Sequence, residues 1–229
     1  SEHPILDLSL MRFTTFRLSV YAGSLTRITA GAVPFLLPLM MQLGFGMSAA
    51  HSGVVTFVSA LGAMLMKATA SPILRRWGFR ATLVWNSVLS MICIALCAAF
   101  RPDWPLWTIY TILLLGGFFQ SLQFSAYNTV AYADVPSERF SSATSFYTTF
   151  QQLMLSVGIC VAAAALHVSV VTHGRTHAQL SDFSMAFLVV AGLSLSAAQL
   201  AASLPEYARP ETRRSRHRSS LPLRTRPCP

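Results

Sequence analysis

The chain has 229 residues, 53% of them apolar and only 11% charged, whereas an ordinary soluble domain carries about 25% charged residues. That balance excludes a water-soluble globular domain and points to the bilayer. The net charge of +9 does not indicate a nucleic-acid partner, because the lysines and arginines lie almost wholly between or beyond the apolar stretches, where they report topology.

In chain order, residues 1–16 read as a cytoplasmic linker or interfacial helix. Leu6, Leu10, Phe13 and Leu18 recur on one helical face, with Asp7, Arg12 and Arg17 elsewhere; an unstructured linker is the alternative. Residues 17–204 then hold six apolar stretches, at about 17–43, 48–69, 80–100, 105–131, 141–167 and 182–204. Each is near the roughly 20 residues that cross a hydrocarbon core, and in lipid each must satisfy its own backbone hydrogen bonds, so helices are predicted. The expected fold class is an all-α membrane protein of six transmembrane helices. Residues 205–229 form a polar, Arg-rich tail for which disorder is predicted. The first residue is Ser1 rather than Met, so the chain reads as a fragment.

Lys67, Arg75, Arg76, Arg80, Arg139 and the arginines of the tail fall on the side of the termini, and only Arg101 and Arg175 on the other. An excess of basic residues marks the cytoplasmic side, which places both termini in the cytoplasm.

The first span carries Arg27 with no acidic residue near it in sequence. An intramembrane ion costs about 2.5–3.5 kcal/mol on insertion scales and is a functional candidate by default; a long side chain that reaches the interface is the bland alternative. Arg27, Gly31, Pro34, Pro38 and Gln42 share one helical face. The prolines each remove a backbone donor, which suits a hinge or a cavity wall, although membrane helices also tolerate proline without a role.

Polar residues mark the fourth and fifth spans. Gln120, Gln123 and Tyr127 align, with Asn128 beside them, and so do Ser145, Thr148, Gln152 and Ser156. Such groups are either interhelical glue or the lining of a polar cavity; with Phe124 and Tyr147 they fit a cavity for a small amphipathic solute. Close helix contacts are expected at Gly53, Ala60 and Gly62, at Gly116 and Gly117, and at Ser156, Gly158, Ala162 and Ala163.

Cys93, Cys97, Cys160 and Cys228 do not have metal-ligand spacing, and neither do His51, His167, His173 and His177. No metal, cofactor or enzymatic function is expected. All eight acidic residues lie in loops or at span ends. If transport is coupled to protons, the coupling carboxylate must come from outside this chain.

Several runs resemble the multidrug drug:proton antiporters of the major facilitator superfamily. They are Arg27-Ile28-Thr29-Ala30-Gly31 leading to Pro34-Phe35, then Gln42-Leu43-Gly44-Phe45-Gly46, Met66-Lys67 and Trp77-Gly78-Phe79-Arg80. The order continues in Phe124-Ser125-Ala126-Tyr127-Asn128-Thr129, Asp134-Val135-Pro136 and Ser156-Val157-Gly158-Ile159. The resemblance implies the C-terminal half of a bacterial inner-membrane transporter with twelve or fourteen spans, working by alternating access on small amphipathic drugs. Its missing N-terminal half would hold the coupling acids. The superfamily's loop signature, G-x-L-x-D-R-x-G-R-R, is degenerate at residues 71–80: Arg76, Gly78 and Arg80 are kept, while Ser71 and Arg75 replace the glycine and the aspartate. A carrier for a metabolite or siderophore, and a non-transporting membrane subunit or scaffold, are the alternative functions.

Overall fold

The computed structural model describes residues 12, 14–77, 79–132, 135 and 140–202; over 70–77, 79–81, 200–202 and a few other helical positions it describes the backbone alone. The linker residues Leu6, Leu10 and Phe13, the loop residue Gly78, the side chains of Arg76 and Arg80, and the tail therefore lie outside the described residues.

Every element among the described residues is helical. They are α1 (Thr14–Leu39), a π-helical turn (Met40–Gly44), α2 (Ala49–Trp77), α3 (Phe79–Ala98), α4 (Leu106–Ala131), α5 (Phe140–Thr172) and α6 (Leu180–Ala202). Among these residues four stretches are long and apolar enough to cross a bilayer: Ser19–Gly44, Ala49–Thr69, Leu106–Thr129 and Phe140–Thr172. Thr82–Ala98 and Leu180–Ser196 are shorter apolar helices.

The helix ends have local causes. Pro34 and Pro38 lie inside α1 and supply no N–H to the preceding turn. The helix then widens, and Phe45 N–H bonds the Met40 carbonyl at 3.2 Å, five residues back, a spacing that defines the π turn. Ser52 Oγ on α2 donates to the Pro38 carbonyl at 3.2 Å, fixing the α1–α2 corner. The fifth helix runs past residue 167, to Thr172, and closes on Gly174, whose φ is +62°. Arg175 N–H bonds Val170 O at 3.1 Å and Gly174 N–H bonds Val171 O at 3.0 Å, the paired bonds of a glycine C-cap.

That cap leads into an anchored corner. The buried Asp182 carboxylate on α6 accepts from Gln179 N–H at 2.9 Å, Ser169 Oγ at 2.8 Å and Arg175 Nη1 at 3.0 Å. His173 Nδ1 stands 3.5 Å from the same carboxylate. One acid thus ties the end of α5, the connecting loop and the start of α6 together.

Helix α2 packs mainly on α4, α1 on α5, and α3 on α6. Glycines set the first two seams. A Cβ on Gly31 would overlap the Leu155 carbonyl oxygen, and one on Gly158 would overlap that of Ile28; a Cβ on Gly62 would overlap the Leu114 carbonyl and one on Gly117 that of Ser59. Each seam therefore has a glycine on both helices and backbones in direct contact, a geometry that larger residues would prevent. Gly53 is different from the expected contact residue: it is exposed and nothing lies within 4 Å of its Cβ position.

Two apolar clusters occupy opposite ends of the bundle. One gathers Leu36, Leu37, Met40, Met41, Phe100, Leu113, Phe183, Phe187 and Val190; the other gathers Phe16, Val20, Ala131, Phe146 and Tyr147. Between them lies a layer with Arg27, Asn86, Gln123, Asn128 and Gln151. The outer surface is apolar instead, with Phe57, Met64, Trp85, Trp107 and Leu188 all exposed.

Candidate functional site

The polar layer holds two hydrogen-bonded groups. In the first, Asn86 Nδ2 on α3 donates to Gln123 Oε1 at 2.6 Å and to the Phe119 carbonyl at 2.7 Å, while Gln123 Nε2 donates to Ser87 Oγ. Gln123 is 2% exposed and its amide is engaged on both ends, so it acts as glue between α3 and α4. Tyr127, one turn further on, is also buried and packs against Gly23.

The second group surrounds Arg27. Its Nη2 donates to Gln151 Oε1 on α5 at 2.7 Å, and Gln151 Nε2 in turn donates to Asn128 Oδ1 on α4 at 3.2 Å. The guanidinium carbon lies 3.6 Å from the centroid of the Phe124 ring, within cation–π range. Arg27 Nε is buried without a hydrogen-bond partner. The charge is thus oriented by one amide and one ring from two different helices, which is stricter than a snorkelling side chain requires.

Arg27 borders a cavity of about 270 Å³ between α1, α2, α3 and α4. Its lining includes Pro34, Ser59, Cys93, Cys97, Gly116, Gly117, Gln120, Ser121 and Phe124. Small residues make the room: Gly116 faces Cys93 with 3.5 Å between the Cβ positions. A second void of about 10 Å³, lined by Thr26, Thr29, Ser87, Ser90, Gln120, Gln123 and Ser194, has room for one water. Thr26 and Thr29 donate to carbonyls of their own helix, Ala22 at 3.2 Å and Leu25 at 3.1 Å, and so bring oxygen acceptors to that void.

The expected site residues divide accordingly. Arg27, Pro34, Gly116, Gly117 and Gln120 meet at the main cavity, Gln123 and Tyr127 are packed between helices, and Asn128 holds Gln151. Gly31 and Gly158 are seam residues, where a hinge would lack space. Gln42 sits in the π turn, away from the lining. Thr148 and Gln152 are exposed and line neither cavity, because the inward face of α5 is the one carrying Gln151, Gly158 and Ala162. Thr148 Oγ1 bonds its own helix at Thr144 O, 2.6 Å away. Gln151, Asn86 and Ser87 are residues of the polar layer that the polar stripes did not single out. The signal for Gln151 was its seven-residue spacing from Gly158, which shares its face.

The sequence pattern of the Major Facilitator Superfamily matches residues 19–227. The chain belongs to the major facilitator superfamily. It is 34% identical over 168 residues to "Probable transport protein HsrA" of Haemophilus influenzae, covering 73% of this chain and 36% of that protein. It is 30% identical over 197 residues to "Putative multidrug resistance protein MdtD" of Enterobacter sp. (strain 638), covering 82% of this chain and 42% of the relative. The protein of the same name from Escherichia coli O6:H1 is 31% identical over 177 residues, covering 74% and 37%. The chain spans less than half the length of the curated relatives it matches. As a major facilitator chain with apolar helices it is an integral membrane protein, and its exposed apolar surface is suited to lipid.

Proposed function

We propose that this chain is the C-terminal half of a secondary transporter that exports small amphipathic compounds in exchange for protons by alternating access. It has six spans, with both termini in the cytoplasm of a bacterial inner membrane. The observation that carries this reading is the cavity between four helices, bordered by an intramembrane arginine in a fixed pose. Holding a charge there opposes insertion by about 2.5–3.5 kcal/mol, a cost that the Gln151 hydrogen bond and the Phe124 contact offset in part. Arg27 is the electrostatic element of the binding cavity and Gln120 a solute contact.

Two further observations support a half rather than a complete carrier. The relatives are more than twice as long as the matched segment. On α5, Ser145, Thr148, Gln152 and Ser156 form an exposed polar stripe, which is poorly suited to lipid and well suited to a second bundle or a water-filled passage. The N-terminal half covers that stripe, and it supplies the coupling carboxylate, since of the described carboxylates Asp103 lies in the α3–α4 loop and Asp182 in the first turn of α6. The segment 71–80, expected as a loop, instead runs through the end of α2 and the start of α3; with Arg76, Gly78 and Arg80 it serves as a cytoplasmic latch between the halves.

The test is efflux of a fluorescent amphipathic dye from cells expressing the full-length transporter. Arg27→Ala at wild-type abundance reduces efflux to the level of cells without the protein; unchanged efflux reduces Arg27 to a membrane anchor.

A further inference from the structure

The cavity carries a single formal charge, and it is positive. Among the described residues no acidic residue lines it, and Arg27 is the only charged residue that does. A guanidinium has five N–H donors; one of Arg27's is engaged by Gln151, and Nε is buried with no partner. Among the described residues Phe124 is the only aromatic in the lining, and one face of its ring is covered by the guanidinium at 3.6 Å. Recognition of an organic cation in a membrane cavity calls for an open aromatic face or a carboxylate. Here one face is taken by a cation already, and the fixed positive charge beside it repels a second. A planar fork with free N–H donors instead suits a carboxylate, which it meets with two parallel hydrogen bonds. Most of the remaining wall is apolar, with Val33, Ile94, Ile112 and Leu113, while Thr26, Ser59, Gln120 and Ser121 add neutral polar groups. At about 270 Å³ the volume falls just below the range of about 300–1,000 Å³ that holds drug-sized ligands.

We infer that the cavity binds a small amphipathic anion, a carboxylate on an aromatic or aliphatic body, with Arg27 as its ion partner. Phe124 and Gln151 hold the guanidinium plane, and the wall around Ile94 and Gly116 takes the apolar body. The inference rests on the transporter reading in one respect, that the bound anion is also the solute carried.

Two probes with the same apolar body separate the signs of charge: 1-naphthoate and 1-naphthylmethylammonium. Equilibrium binding of radiolabelled 1-naphthoate is measured on the full-length transporter in nanodiscs. The wild type binds it saturably, and the ammonium does not displace it. Arg27→Gln, which keeps a partner for Gln151, weakens binding about tenfold or more, the loss expected for about 1.4 kcal/mol. Arg27→Lys keeps the charge without the fork and gives an intermediate affinity. Absence of saturable naphthoate binding to the folded wild type overturns the inference, as it would if an acid from the other half neutralised Arg27. Displacement by the ammonium, or wild-type affinity in Arg27→Gln, overturns it as well. Flux into proteoliposomes then separates the two readings. Transport of the ammonium without the carboxylate defeats the anion site and leaves the transporter standing. Naphthoate binding with no flux of either probe leaves the site standing and defeats the transporter.

Discussion

The α1–α5 and α2–α4 seams are built alike and filled differently. In each, a glycine on both helices lets backbone meet backbone: Gly31 with Gly158, and Gly117 with Gly62. Four residues before Gly31 stands Arg27, and seven before Gly158 stands Gln151. The same offsets from Gly117 and Gly62 give Leu113 and Val55, both buried in the apolar cluster. One seam thus closes with an oriented charge and an amide where the other closes with two hydrocarbon side chains. Tight crossing does not need the charge, because the apolar seam brings its backbones equally close without one.

The largest expected effects come from the shared part of the seams. Gly31→Val, Gly158→Val, Gly62→Val or Gly117→Val each drives a side chain into a backbone carbonyl that cannot move without separating two helices. A cost above about 4 kcal/mol is expected for each, read as loss of the monodisperse peak in size-exclusion chromatography. Tolerance in one seam alone would break the equivalence.

Next comes Leu113→Arg, which puts a charge at the apolar seam's counterpart of Arg27. Leu113 packs in the apolar cluster and borders the cavity that already holds Arg27, with no carboxylate among its described lining, so destabilisation of about 3 kcal/mol or more is expected, measured as a fall in apparent Tm. The reverse exchange, Arg27→Leu with Gln151→Val, copies the apolar seam into the polar one. Replacing a buried polar pair by packed hydrocarbon is often neutral or stabilising by about 1–4 kcal/mol, so Tm holds or rises while efflux is lost. Smallest is Gly53→Ala, at an open helical position, where a gain of about 0.5–1 kcal/mol is expected. A loss there would reveal a contact that neither seam contains.

Much of this architecture was legible in the residues. The helices follow apolar stretches bounded by Gly, Pro and charge, and Gly117 and Gly158 occupy the close contacts that small residues promise. Arg27 stood out because a lone charge in an apolar run has few inert explanations. The α5 stripe was harder. Residues 148, 152 and 156 repeat at helical spacing, and so do 151, 155 and 158; periodicity identifies both faces without ranking them. What ranks them is the Ile28 backbone, which approaches the face with Gly158 and comes from a helix more than a hundred residues away in sequence. The division of polar residues into glue and cavity wall is tertiary for the same reason. Gln120 and Gln123 are three residues apart on α4, yet only Gln123 finds Asn86 within reach.

The two apolar clusters at the ends of the bundle have an electrical consequence. They insulate the layer between them, where the effective dielectric constant is far below that of water and a unit charge acts several times more strongly on its neighbours. A charge brought against Arg27 therefore acts on the Gln151 and Asn128 dipoles linked to it more strongly than it would in bulk water. Among the described residues one guanidinium sets the charge of that layer, and its contacts tie α1, α4 and α5 into one electrostatic unit.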